Sequence, residues 1–101
     1  MITHIVWWTL KDEALGANAT ENREKMITML RGLEGNVPSL RSIAVSTEFL
    51  GTTTESVQVV LISSHDDAAG LKAYADHPEH LKCVEFIKQI VATRKVMDFV
   101  V

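Results

Sequence analysis

The sequence predicts an α+β fold in β-α-β-β-α-β order, a four-stranded antiparallel sheet with helices on one face. Three observations carry that prediction. The chain opens on a run rich in β-branched and aromatic residues, it holds two segments whose apolar residues recur at helical spacing, and its remaining β-branched runs stand where two central strands and a closing strand belong.

Strand composition is clearest in MITHIVWWTL, where alternation puts His4, Val6, Trp8 and Leu10 on one face and Thr3, Ile5 and Trp7 on the other. Gly16 interrupts the next segment, so Asp12 to Ala19 reads as loop or a loosely formed helical turn. From Asn18 or Thr20 to Glu34, Met26, Met29, Leu30 and Leu33 form an apolar face, and Gly35, Asn36 and Pro38 end the helix. Leu40 to Phe49 and Ser56 to Ser63 read as strands, joined by GTTTE as a hairpin with a long or irregular loop. Ser64, Asp66 and Asp67 are helix-starting residues for a short helix through Tyr74. Pro78 opens another helix, since a first helical residue needs no N–H and proline already holds the required φ; this helix is expected to reach about Thr93. KVMDFVV closes the chain as a last strand, completing a ferredoxin-like arrangement in a single domain spanning residues 1–101.

Both faces of the sheet carry apolar residues. Strand 1 has a tryptophan on each side, Val57, Val59 and Leu61 oppose Val60 and Ile62, and the last strand is apolar almost throughout. Helices cover one face only, so a second copy is expected to cover the other, giving a homodimer through the sheet face.

Composition narrows the partners. With 47% hydrophobic and 23% charged residues, 101 residues suffice for one core. A net charge of -3 without any Lys/Arg cluster argues against nucleic acid and anionic membranes. No apolar run approaches the ~20 residues of a membrane-spanning helix. Cys83 is the only cysteine, no secretory leader is recognisable, and a reduced, cytoplasmic setting is expected. A small-molecule ligand or another protein is the partner class that remains.

The stretch YADHPEH, Tyr74 to His80, concentrates the polar chemistry. With Pro78 first in its helix, His77 is the N-cap, and His80 heads a stripe continued by Val84, Ile87 and Val91, with Leu81 and Cys83 at its edges. The helix N-terminus and apolar surroundings both disfavour imidazolium, so His80 is expected to be neutral near pH 7, as a general base must be. Tyr74 shares an inward face with Leu71 and Ala75, and its phenol needs a partner if buried. If the helices cover the strand-1 face that carries His4, these groups converge on an apolar cavity. The expected lining is His4, Val6, Trp8, Met26, Leu30, His77, Val84 and Ile87, beside His80 and Tyr74.

Each residue also has a structural reading: His77 as a cap, His80 as hydrogen-bonded core, Tyr74 and His4 as ordinary interior rings. No third ligand accompanies His77 and His80, so no metal is expected. Cys83 lacks a neighbouring base and is expected to be inert. No glycine-rich loop offers a nucleotide or flavin a seat, and no cofactor is expected.

ITHIVWWTLKDE, VPSLRSIAV and LKAYADHPEHLKCVEFIKQIVATRKVMDF together resemble the stress-responsive A/B barrel (Dabb) family over essentially the whole chain. The Y-x-x-H-P-x-H stretch, with its apolar helix and final V-x-D-F strand, is the most specific part. The resemblance implies a dimeric α+β barrel. The family includes a plant polyketide cyclase that performs a cofactor-free aldol condensation; by that resemblance His80 would remove a proton α to a carbonyl, Tyr74 would hold the oxygen, and His4 would be the pocket histidine. Trp8, Met26, Met29 and Leu30 would shape the cavity differently from an aromatic-lined tunnel. Two other functions fit the same architecture: a cofactor-free monooxygenase of the wider α+β barrel class, and a non-enzymatic stress-associated binding protein whose interior is filled by side chains.

Overall fold

The computed structural model describes all 101 residues. The elements are β1 (Ile2–Leu10), β2 (Glu13–Ala14), β3 (Ala17–Asn18), α1 (Ala19–Arg31), β4 (Ser42–Ser46), β5 (Val59–His65), α2 (Ala68–Asp76), α3 (Pro78–Ile90) and β6 (Val91–Val100). The main sheet is antiparallel in the order β4-β5-β1-β6, which makes it ferredoxin-like, with β1 central and β6 at an edge.

Alternation along β1 is realised residue by residue: His4, Val6, Trp8 and Leu10 are buried, while the residues between them are half-buried. The helices therefore cover the His4 face. Met26, Leu30 and Leu33 of the α1 region, Val59 and Leu61 of β5, and Cys83, Phe86, Ile87 and Ile90 of α3 complete the core there. Each large apolar side chain buried in this way contributes about 1.5–3 kcal/mol.

Local signals explain the helix starts. Asn18 caps α1 in a reciprocal box: its side chain accepts from the Glu21 amide (2.8 Å), and the Glu21 carboxylate accepts from the Asn18 amide (3.2 Å). Asp67 caps α2 through the Gly70 amide at 2.7 Å.

Several boundaries depart from the sequence reading. The Asp12 to Ala19 stretch is a small β2-β3 hairpin, turned at Leu15 (φ 53°) and Gly16 (φ 74°), the positive pair that a tight two-residue turn requires. Buried Asn22 holds it to α1, donating to the carbonyls of Ala14 (3.0 Å) and Ala17 (3.4 Å). β4 is shorter than Leu40 to Phe49, and β5 runs later than Ser56 to Ser63, so Ser64 and His65 belong to a strand and Asp67 alone starts the helix. α3 stops at Ile90 and β6 begins at once, because Val91 already pairs with Leu10 and the β-branched run is drawn onto β1.

The opposite face of the sheet has no helix over it. Ile62, Met97 and Phe99 are exposed there beside half-buried Ile5 and Trp7. No helix is long and apolar enough to cross a membrane.

Candidate functional site

The break between α2 and α3 builds the chemical end of the site. In a continuous helix the Glu79 amide would bond to the Ala75 carbonyl, and the Pro78 nitrogen has no hydrogen to offer Tyr74. Here the His77 ring accepts the Glu79 amide through Nδ1 at 3.1 Å, so the Ala75 carbonyl is left for another donor. The His80 ring takes it, with Nδ1 2.9 Å from that oxygen. A carbonyl only accepts, so Nδ1 carries the hydrogen and the neutral ring keeps its lone pair on Nε2.

Burial lowers the His80 pKa below its ordinary 6.5; the Ala75 hydrogen bond opposes this, while His4, Arg94 and His77 push it further down. Its ring lies against Tyr74, centroids 4.5 Å apart. Burial, with a smaller contribution from the Cys83 thiol, raises the Tyr74 pKa, so the phenol stays protonated and able to donate. No hydrogen bond within the protein holds that hydroxyl.

Behind Tyr74 stands His65, fully buried, its ring 4.9 Å from the phenol ring. Its Nδ1 donates to the Ser39 carbonyl (3.3 Å), which leaves Nε2 to accept from the Ser63 hydroxyl (3.0 Å). Burial is the chief cause of its lowered pKa, partly opposed by the Ser39 bond. His4 completes the group at 6.2 Å from Tyr74, its Nδ1 bonded to the Asp98 carboxylate across the β1-β6 pair. That carboxylate fixes which nitrogen of His4 faces inward.

These rings border a cavity of about 140 Å³ between α3 and the sheet. Its floor is His4, Val6, Trp8, Leu30, Leu61 and Tyr74; its mouth is marked by the exposed residues Val84, Lys88 and Arg94. The interior is therefore hollow at this point and not filled by side chains.

A model of the stress responsive A/B barrel domain family matches residues 2–101. The chain belongs to that family. Solved structures agree in fold. A dimeric ferredoxin-like protein of unknown function from Thermobifida fusca is 26% identical, with a TM-score of 0.82 over 99% of this chain and 90% of that one. A hydroxynitrile lyase from Passiflora edulis superposes with a TM-score of 0.83 at 13% identity, covering 99% of this chain and 92% of its own. A cofactor-independent oxygenase from Streptomyces nogalater superposes at 0.71 and 13%, covering 99% and 91%. No curated protein matches the sequence.

Within this A/B barrel domain the predicted residues divide. His4, Val6, Trp8, Leu30, Tyr74, His80, Val84 and Ile87 all border the cavity. Met26 and His77 do not. Met26 is wholly buried among other core side chains, and the His77 ring is occupied in capping α3. The stripe of α3 is also rotated from expectation: Cys83 and Phe86 lie at its buried centre, whereas Val84 is 41% exposed at the cavity mouth. Cys83 bears an inert thiol, its pKa raised chiefly by burial and then by Glu79. The sequence reading missed His65, Ser63, Asp98, Lys88 and Arg94. Continuing the alternation of Val59 and Leu61 to positions 63 and 65 would have found the first two, and the lone acid in VMDFVV is a visible irregularity in an apolar strand.

Proposed function

We propose that this A/B barrel domain is a cytoplasmic homodimer whose helix-sheet cavity binds a small, partly apolar carbonyl compound and moves a proton on it without a cofactor, in the manner of a cyclase or lyase. The observation that carries the reading is His80: a half-buried imidazole at the cavity edge whose Nδ1 is tied to the Ala75 carbonyl and whose depressed pKa keeps Nε2 free as a base.

The roles follow from the atoms. His80 Nε2 takes a proton from the carbon α to the carbonyl, and the electron pair left behind moves onto the carbonyl oxygen. The Tyr74 hydroxyl, unpartnered in the protein and firmly protonated, donates a hydrogen bond to that oxygen as charge develops. The resulting enolate carbon forms a bond to a second carbonyl, and the imidazolium returns its proton to the new alkoxide; a lyase runs the same sequence in reverse. His4, held by Asp98, orients the substrate at the floor. The fold-level likeness to a hydroxynitrile lyase is consistent with such proton-transfer chemistry but supplies no substrate.

Dimerisation rests on the uncovered apolar face and on relatives described as dimeric. The experiment is deuterium exchange at the α-carbon of simple ketones and β-diketones, followed by NMR in D2O. Wild-type protein should accelerate exchange, and His80→Ala should remove the acceleration. Equal rates with and without protein across the panel would overturn the proposal, and oxygen uptake with a quinol would replace it by an oxygenase.

A further inference from the structure

Arg94 is the one cationic side chain in the protein with no partner. Of the ten Lys and Arg residues, six are in ion pairs. Lys11 and Arg31 reach backbone carbonyls, and Lys25 lies over the Phe86 ring. Arg94 has none of these contacts, yet it borders the cavity. Its side chain projects on the same face of the sheet as buried Trp8, with which it pairs across β1 and β6. A dimer through the opposite face leaves it free.

The surroundings do not neutralise it. The cavity lining contains no acidic side chain, and its other cation, Lys88, is bound to Glu85 at 2.6 Å. Asp98 shares the face of β6 with Arg94 but stands four residues along, roughly 13 Å away in an extended strand, and is engaged by His4. In a chain of net charge -3, an unpaired guanidinium at the mouth of an apolar, acid-free cavity is a place for a ligand's negative charge.

We infer that the cavity takes a carbonyl compound that also carries a carboxylate, with the carboxylate held by Arg94 at the mouth and the carbonyl at His80 and Tyr74. The planar fork of a guanidinium matches a carboxylate with two parallel N–H donors. The register bounds the length: His4 and Trp8 lie opposite Asp98 and Arg94, roughly 13 Å of strand apart, and the long Arg94 side chain, which borders the same cavity as His80, takes up part of that distance. A ligand spanning the two ends has several apolar carbons between its two groups, and Val6, Trp8 and Ile87 line that path. The inference rests on the proposed pocket chemistry and adds the substrate's charge to it.

The test uses 6-oxoheptanoate, a methyl ketone joined to a carboxylate by four methylenes, and its methyl ester. Both are titrated into the 101-residue protein, following amide shifts of Val84, Ile87 and His80. The acid should bind about tenfold more tightly than the ester at low salt. Arg94→Gln should bring the two within about twofold of each other, and Arg94→Lys should retain part of the difference. Equal binding of acid and ester to the wild type, or an advantage that survives Arg94→Gln, overturns the carboxylate site and leaves the pocket standing. No shift at these residues with either compound at millimolar concentration overturns the pocket as well. Arg94 is exposed and unpartnered, so its variants should fold, which their amide spectra verify directly.

Discussion

Removing a single oxygen from Tyr74 separates a structural phenol from a functional one. The residue is 2% exposed, and no hydrogen bond within the protein holds its hydroxyl. Burying a hydroxyl without a partner costs about 1–3 kcal/mol. This hydroxyl borders a cavity roomy enough for water, so only part of that cost is incurred. Tyr74→Phe is therefore expected to range from neutral to about 1 kcal/mol more stable, an increase in melting temperature of up to roughly 4–8 °C for a domain of this size. Tyr74→Ala, by contrast, deletes the ring that His4, His65 and His80 all approach, and should cost about 3–5 kcal/mol. Urea titration at fixed protein concentration measures both, with the midpoint interpreted only if the slope is unchanged. If Tyr74→Phe destabilises by about 1 kcal/mol or more, the hydroxyl serves the fold, and its assignment as a donor to substrate is refuted.

Other perturbations test the supporting structure. His65 and His80 both have folded pKa values below 6.5, so the unfolded chain binds protons that the folded chain does not as pH falls through that value. Stability should thus be complete above about pH 7 and decline toward pH 5; His65→Phe should make the decline shallower in urea midpoints taken across that range. His77→Ala removes the α3 cap and should cost about 1 kcal/mol in thermal melts, while His77→Asn should recover most of it. Asn22→Ala leaves the Ala14 and Ala17 carbonyls without their donor and should cost about 1–3 kcal/mol by the same measurement. Ile62→Lys combined with Met97→Lys places charge on the open face, and sedimentation at micromolar concentration should change from dimer to monomer with secondary structure retained.

Local periodicity was enough to locate β1, α1 and the proline start of α3, because each depends on neighbours in sequence. Register was beyond its reach. His4 and Asp98 meet across 94 positions, and only the antiparallel β1-β6 pairing brings them together. The same pairing sets where α3 must end, so the Val91 to Thr93 stretch, read as helix from its composition, is strand by tertiary demand. The face of α3 was displaced for a related reason: α3 packs against α1, where Cys83 reaches the Met29 carbonyl and Lys25 lies over the Phe86 ring, which leaves Val84 over the cavity mouth. His80 and Tyr74 were legible because the H-P break is a local signal. Arg94 was not, since an arginine at the start of a strand is unremarkable until the cavity beside it is known.

The proposed chemistry requires one imidazole to be neutral with its hydrogen on a known nitrogen. Nitrogen-15 NMR of His80 across pH 4 to 9 reports both facts at once. The expected result is a titration midpoint below the ordinary 6.5 and, in the neutral form, a protonated Nδ1 with a bare Nε2. A midpoint at or above 6.5, or a neutral ring protonated on Nε2, would contradict it.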